Sequence, residues 1–156
     1  MKETYLLGLD EIKILANDFV NDYGSDFAKK ISKKNILVLL KGDLASGKTT
    51  LVKTLVKALG SKEAVTSPTF CLQNIYGSKI FHYDMFSSKE EEFMRLGMLE
   101  EFDKDGIHFI EWANDELEKI LKDYGFFYIK ISIKKDEKEN KNENENTQKR
   151  RYEISF

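Results

Sequence analysis

Residues 42–50 read Gly42-Asp43-Leu44-Ala45-Ser46-Gly47-Lys48-Thr49-Thr50, which satisfies the pattern G-x-x-x-x-G-K-[ST]. Its flanks give the pattern its force. Ile36-Leu37-Val38-Leu39-Leu40 precede it, an unbroken apolar run of the kind a strand buried on both faces shows. Leu51, Val52, Leu55, Val56 and Leu59 follow at helical spacing, and Gly60 stands where a helix C-cap would. A buried strand, a glycine loop and a helix in that order predict an α/β fold of the phosphate-binding-loop type. The expected architecture is a three-layer sandwich, a mixed and mainly parallel sheet flanked by helices, with antiparallel strands at the C-terminal end.

The loop's chemistry follows from its residue types. Glycine lets the backbone wrap an anion with its N–H groups turned inward, and the helix starting near Lys48 points its positive end at the same place. Gly42, Ala45, Ser46, Gly47, Lys48, Thr49 and Thr50 are the expected nucleotide contacts. Lys48 would reach the outer phosphates as a point charge, and the Thr49 hydroxyl would hold Mg²⁺.

At 156 residues the chain suits one domain, 1–156, with a real core. The net charge of −2 gives no bulk attraction to nucleic acid or anionic membrane, so direct binding to RNA or DNA is not indicated. Cys71 is the one cysteine, which excludes an intrachain disulfide and fits a reducing compartment. The first residues carry no long apolar segment, and no run approaches the ~20 apolar residues of a membrane span. A cytoplasmic protein is expected.

Along the chain, Tyr5-Leu6-Leu7 read as a short strand and Asp10 as the N-cap of a helix. Ile12, Leu15, Ala16, Phe19, Val20 and Tyr23 form that helix's apolar stripe, with further turns expected over Asp26 to Ile31. Ser67-Pro68-Thr69 is short and rigid, and follows the phosphate-loop helix directly. Phe70–Tyr76 and Ile80–Tyr83 suggest strands joined at Gly77-Ser78, and Ser88 to Glu91 a capping box opening a helix that Gly97 ends. Leu99 and Phe102 suit a further helical turn. Ile107–Ile110 reads as a strand, Asn114 as the cap of a helix carrying Leu117, Ile120 and Leu121, and Phe126–Ile133 as a strand partnered by Tyr152–Phe156. Between these last strands, 134–151 holds seven basic and five acidic residues, a mixed-charge loop with nothing to bury. Its Asn140-Lys141-Asn142-Glu143 imitates a guanine-reading box but ends in Glu and follows no strand.

Hydrolysis also needs groups that hold Mg²⁺ and orient a water. Asp84 and Glu111 each follow an apolar strand at its C-terminal end, where ligands bind in open α/β sheets. Either can be a Mg²⁺ ligand while the other positions the nucleophile. His82 and His108 fall at alternate strand positions and read as packed side chains.

Taken together, Gly42 to Thr50, Ser67-Pro68-Thr69-Phe70, His82-x-Asp84, Leu96-Gly97 with Glu100-Glu101, and Ile110-Glu111-Trp112 resemble the TsaE (YjeE) family in order and spacing. The resemblance implies a small, weak Mg²⁺-dependent ATPase that depends on partner proteins. In that family it assists formation of N6-threonylcarbamoyladenosine in tRNA, acting with TsaD and TsaB to reset their complex and meeting tRNA only through it. Carried over by position, Thr49 and Glu111 would ligate Mg²⁺, and Lys48 and Asp84 would be the catalytic residues, Asp84 near the γ-phosphate. Ser67 to Thr69 would be a switch-like loop, Trp112 a pocket or partner contact, and Asp10 or Glu11 a nucleotide contact. Two departures stand out. Ala45-Ser46 replace the family's Gly-Ala, and a Cβ at 45 requires negative φ or about 1 kcal/mol of strain. Met85-Phe86-Ser87 replace a tract ending Tyr-Arg, so any anion-binding or partner role of that arginine is absent unless Arg95 or the Lys149-Arg150-Arg151 cluster supplies it.

Two other readings compete. A small nucleotide or metabolite kinase would need a second substrate pocket and an arginine-rich lid, but the chain's arginines are Arg95, Arg150 and Arg151 alone, none in a lid-like segment. An ATP-dependent binding module with negligible turnover would leave the catalysis to its partner.

Overall fold

The apolar run before the glycine loop becomes the central strand of the sheet. In the computed structural model, residues 2–23, 34–68, 73–86, 97–136 and 148–156 are described. Their elements are β1 (Lys2–Leu7), a 3₁₀ turn (Leu9–Glu11), α1 (Ile12–Tyr23), β2 (Asn35–Lys41), α2 (Lys48–Ala58), β3 (Gln73–Tyr76) and β4 (Ile80–Asp84). They continue with α3 (Met98–Phe102), β5 (Gly106–Glu111), α4 (Asp115–Asp123), β6 (Tyr128–Lys135) and β7 (Arg150–Ser155). The expected turns at 26–31, Cys71, the capping box with Arg95, and the Asn140–Glu143 tract lie outside the described residues.

The described strands form one sheet in the order β1-β7-β6-β2-β5-β4-β3. Its centre, β6-β2-β5-β4, is parallel, and both edges are antiparallel. The mixed α/β sandwich expected from the sequence is therefore the architecture found. Ile36, Val38 and Leu40 of β2 face one core, beneath α1 and α2, while Leu37 and Leu39 face the other, beneath α3 and α4. Burial on both faces explains why β2 is apolar without alternation. Among the described residues, no helix is long and apolar enough to cross a membrane.

Local expectations were met where the signal was local. Asn114 Oδ1 accepts the Leu117 N–H at 2.8 Å and caps α4. Asp10 does not cap α1. A 3₁₀ turn intervenes, and the Glu11 carboxylate instead accepts the Gly8 N–H at 3.0 Å. The closing strand begins two residues earlier than its apolar residues suggest, at Arg150, and pairs with β1 as well as β6. Phe126 and Phe127 fall outside β6, whose first residue is Tyr128.

Candidate functional site

Glycine is required at the start of the phosphate loop. At Gly42 (φ 156°) a Cβ would sit 2.6 Å from Ser46 Oγ and 2.7 Å from the Ile133 carbonyl. Ala45 adopts φ 58°, the left-handed conformation in which its Cβ is strained, so the chain accepts the strain rather than changing the loop's path. Gly47, at φ 106°, sits at the N-cap of α2. Leu51 donates to its carbonyl at 2.9 Å, the first bond of the helix.

The ends of β2, β4 and β5 then bring the distant residues in. Asp84 and Glu111 occupy paired positions of β4 and β5, and the Trp112 N–H donates to the Leu40 carbonyl at 3.2 Å. A cavity of about 490 Å³ opens there, lined by Ala45 to Thr50, Ser67, Asp84, Glu111 and Trp112 together with Leu9, Leu44, Phe86 and Arg150. All the loop and strand-end residues predicted as contacts meet in it except Gly42, which shapes the loop from beneath. Of the first-helix candidates, neither Asp10 nor Glu11 lines it; the 3₁₀ turn contributes Leu9.

Lys48 is 4% exposed and its ammonium turns back on its own loop. It donates to the carbonyls of Gly42 at 2.7 Å and Asp43 at 2.9 Å, and lies 3.6 Å from the centre of the Trp112 ring. Burial pushes its pKa below the ordinary lysine value, against the opposing pull of Glu111, Asp43 and Asp84. Trp112 takes φ 63°, a second strained non-glycine position beside the cavity, and packs against Phe86 with ring centres 4.7 Å apart and planes tilted by 59°.

Glu111 is 2% exposed and accepts from two directions. Thr49 Oγ1 donates to its Oε2 at 3.1 Å, and His82 Nε2 donates to its Oε1 at 2.8 Å. Beyond His82, the Tyr76 hydroxyl lies 3.5 Å from Nδ1 and 3.2 Å from the Thr66 carbonyl. A line of contacts thus runs from Thr49 through Glu111 and His82 to the segment carrying Ser67. Asp84 Oδ1 accepts the Phe86 N–H at 3.0 Å, which holds the carboxylate at the cavity wall.

Among the described residues, no group of three or more His, Cys, Asp or Glu side chains could hold a metal ion. Thr49 and Glu111 are hard oxygen donors already within hydrogen-bond distance of one another. That pair fits Mg²⁺, which keeps waters and phosphate oxygens in most of its positions and takes few protein ligands.

Two histidines read alike in the sequence separate here. His108 is a packed residue, stacked on Phe81 at 4.4 Å. His82 is equally buried but bonds Glu111. The overlooked signal was parity, because His82 shares a face of β4 with Asp84. Phe86 was missed as a cavity residue, and of the Lys149-Arg150-Arg151 cluster offered as a replacement for the absent arginine it is Arg150 that lines the cavity. Phe86 lies two residues past a strand's C-terminal end, and Arg150 heads the otherwise apolar face formed with Tyr152 and Ile154.

The family model described as "Threonylcarbamoyl adenosine biosynthesis protein TsaE" matches residues 16–145. The chain belongs to the TsaE family. A Haemophilus influenzae relative named tRNA threonylcarbamoyladenosine biosynthesis protein TsaE is 37% identical over 99 residues, covering 58% of this chain and 63% of the relative. A Treponema pallidum protein of the same name is 32% identical over 108 residues, 67% of this chain and 77% of its own. The match therefore spans less than two thirds of the Haemophilus protein. In fold, this TsaE-family chain is similar to the crystal structure of YdiB from Bacillus subtilis, with a TM-score of 0.63 at 20% identity over 99% of this chain and 84% of that one.

Proposed function

We propose that this chain binds ATP with Mg²⁺ at residues 42–50 and hydrolyses it slowly as an accessory protein of tRNA N6-threonylcarbamoyladenosine biosynthesis. TsaD and TsaB are its partners, hydrolysis resets their complex, and contact with tRNA is indirect. The pathway rests on the relatives' names. The chemistry rests on one observation: Lys48, Thr49, Asp84, Glu111 and Trp112, drawn from three strand ends, line a single cavity.

The phosphates would lie on the loop N–H groups and the first turn of α2. Lys48 would leave the carbonyls of Gly42 and Asp43 for the outer phosphates, exchanging loop closure for ligand contact. Thr49 and Glu111 would hold Mg²⁺, which when bound neutralises charge on the phosphate oxygens. His82 keeps Glu111 oriented. Asp84, fixed through the Phe86 N–H, would orient the attacking water. The strained Trp112 places its ring over the Lys48 ammonium. Turnover is weak because the cavity is open and its electrostatic completion waits on a partner.

ATP hydrolysis measured alone and with TsaD and TsaB tests this. Lys48→Met is expected to lose ATP binding, and Asp84→Asn to keep binding and lose at least about 100-fold in turnover. Normal hydrolysis by Asp84→Asn refutes that residue's role. Phosphorylation of an added nucleoside monophosphate replaces the whole reading with a kinase. Restored threonylcarbamoylation of tRNA, when the chain and ATP are added to its partners, is the decisive positive result.

A further inference from the structure

β7 turns Arg150, Tyr152 and Ile154 toward the core beneath α1 and α2, and leaves Arg151 outside. Arg150 is therefore a guanidinium at the head of an apolar face, only 7% exposed. Such a group carries five N–H donors and is costly to bury unless they are paired. Arg150 is poorly paired. Its NH1 makes one long bond, 3.3 Å, to the Gln148 carbonyl, and its shielded Nε has no hydrogen-bond partner. Among the described residues no carboxylate forms a salt bridge with it.

Its position supplies what its pairing lacks. Arg150 lines the same cavity as Ser46, Gly47, Lys48 and Thr49. Its Cδ and Nε would each lie 3.6 Å from a Cβ placed at Gly47, so the guanidinium packs directly beside the N-cap of α2. The loop, the helix start and Lys48 approach an anion from the β2 side. Arg150 approaches from the β7 side.

We propose that Arg150 is a phosphate-binding residue of this cavity, its guanidinium taking the phosphate chain of the bound nucleotide opposite Lys48. The assignment rests on the reading of residues 42–50 as a nucleotide site. A planar fork of donors suits phosphate oxygens better than a single carbonyl does, and burial has already removed the competing water. The buried, underpaired cation is then a cost borne by the free protein and recovered when the anion arrives.

The test uses the full chain, titrated with ATP and Mg²⁺ while Trp112 fluorescence is followed, with thermal melting of the free protein alongside. Arg150→Met and Arg150→Gln are expected to lose at least about ten-fold in ATP affinity, the size of a charge-assisted hydrogen bond. Without ATP they are expected to melt no lower than wild type, since an underpaired buried charge has gone. Arg151→Met, one residue away on the outer face, is expected to bind as wild type does. Wild-type ATP affinity in either folded Arg150 variant overturns the proposal. So does an equal loss in Arg151→Met, or a lowered melting temperature with unchanged affinity. Lys48→Met separates the two levels of the argument. If it loses binding while the Arg150 variants do not, the Arg150 assignment fails alone. If it too binds ATP normally, the phosphate-loop reading fails and the Arg150 assignment falls with it.

Discussion

His108 makes the stability of this protein depend on pH in a calculable way. The ring is fully buried, stacked on Phe81 and edge-on to Phe102. Its Nε2 donates to the Lys104 carbonyl at 2.8 Å, which leaves Nδ1 to accept from the Tyr83 hydroxyl at 3.0 Å. That is a neutral imidazole with both nitrogens satisfied. Burial pushes its pKa from 6.5 down to about 4, outweighing the bond to Lys104 and the nearby Glu101 charge. In the unfolded chain the ring takes up a proton as pH falls through 6.5, whereas in the fold it does so only near 4. Between these values the unfolded state holds the extra proton, so stability is full above pH 6.5 and is lost on descending toward 4. At about 1.4 kcal/mol per pH unit, the whole window is worth about 3 kcal/mol, of which about 2 is gone at pH 5. Urea unfolding followed by far-ultraviolet circular dichroism at pH 7 and pH 5 measures this. With a urea slope of roughly 2 kcal/mol per molar, wild type is expected to lose about 1 M more of its midpoint than His108→Gln does. The amide cannot titrate, and every other group is common to both proteins and cancels. Equal losses in the two proteins would refute the argument.

Two further outcomes test the loop. Ala45→Gly removes the left-handed strain of about 1 kcal/mol and adds unfolded-chain entropy of a few tenths, so a net gain of about 0.5 kcal/mol is expected in chemical denaturation; a clear loss would show that Ala45 is unstrained. Gly42→Ala drives a Cβ into Ser46 Oγ and the Ile133 carbonyl, and is expected to cost about 2 kcal/mol and to abolish ATP binding. A wild-type melting curve would show that the loop can move aside.

What the sequence made legible is what neighbouring residues decide. The buried β2 run, the helix after Lys48 and the Asn114 cap depend on contacts within a few positions, and each formed where expected. Ala45 was recognisable as a position where a Cβ needs either negative φ or strain, and only the folded backbone, with φ 58°, decides for strain. Asp10 failed as a cap because the 3₁₀ turn over Leu9–Glu11 starts at Gly8 and takes Asp10 into the turn itself. The site was legible in its glycine loop and its two strand-end carboxylates, since strand polarity decides on which side of the sheet they emerge. His82 and Arg150 were harder. His82 meets Glu111 across β4 and β5, 29 residues apart in the chain. Arg150 reaches Gly47 only because β7 lies between β1 and β6. Such neighbours are fixed by strand order, which no local pattern encodes.

The Tyr76 hydroxyl has two partners within reach, the Thr66 carbonyl and His82 Nδ1. His82 turns Nε2 to Glu111 and Nδ1 to the Tyr76 hydroxyl. The shorter distance is to Thr66, so this hydroxyl holds the backbone just before Ser67. The Asn74 amide also holds Thr66, at 3.1 Å to its carbonyl and 3.2 Å to its Oγ1, so the backbone before Ser67 is fastened to β3, the strand whose Tyr76 touches the histidine behind Glu111.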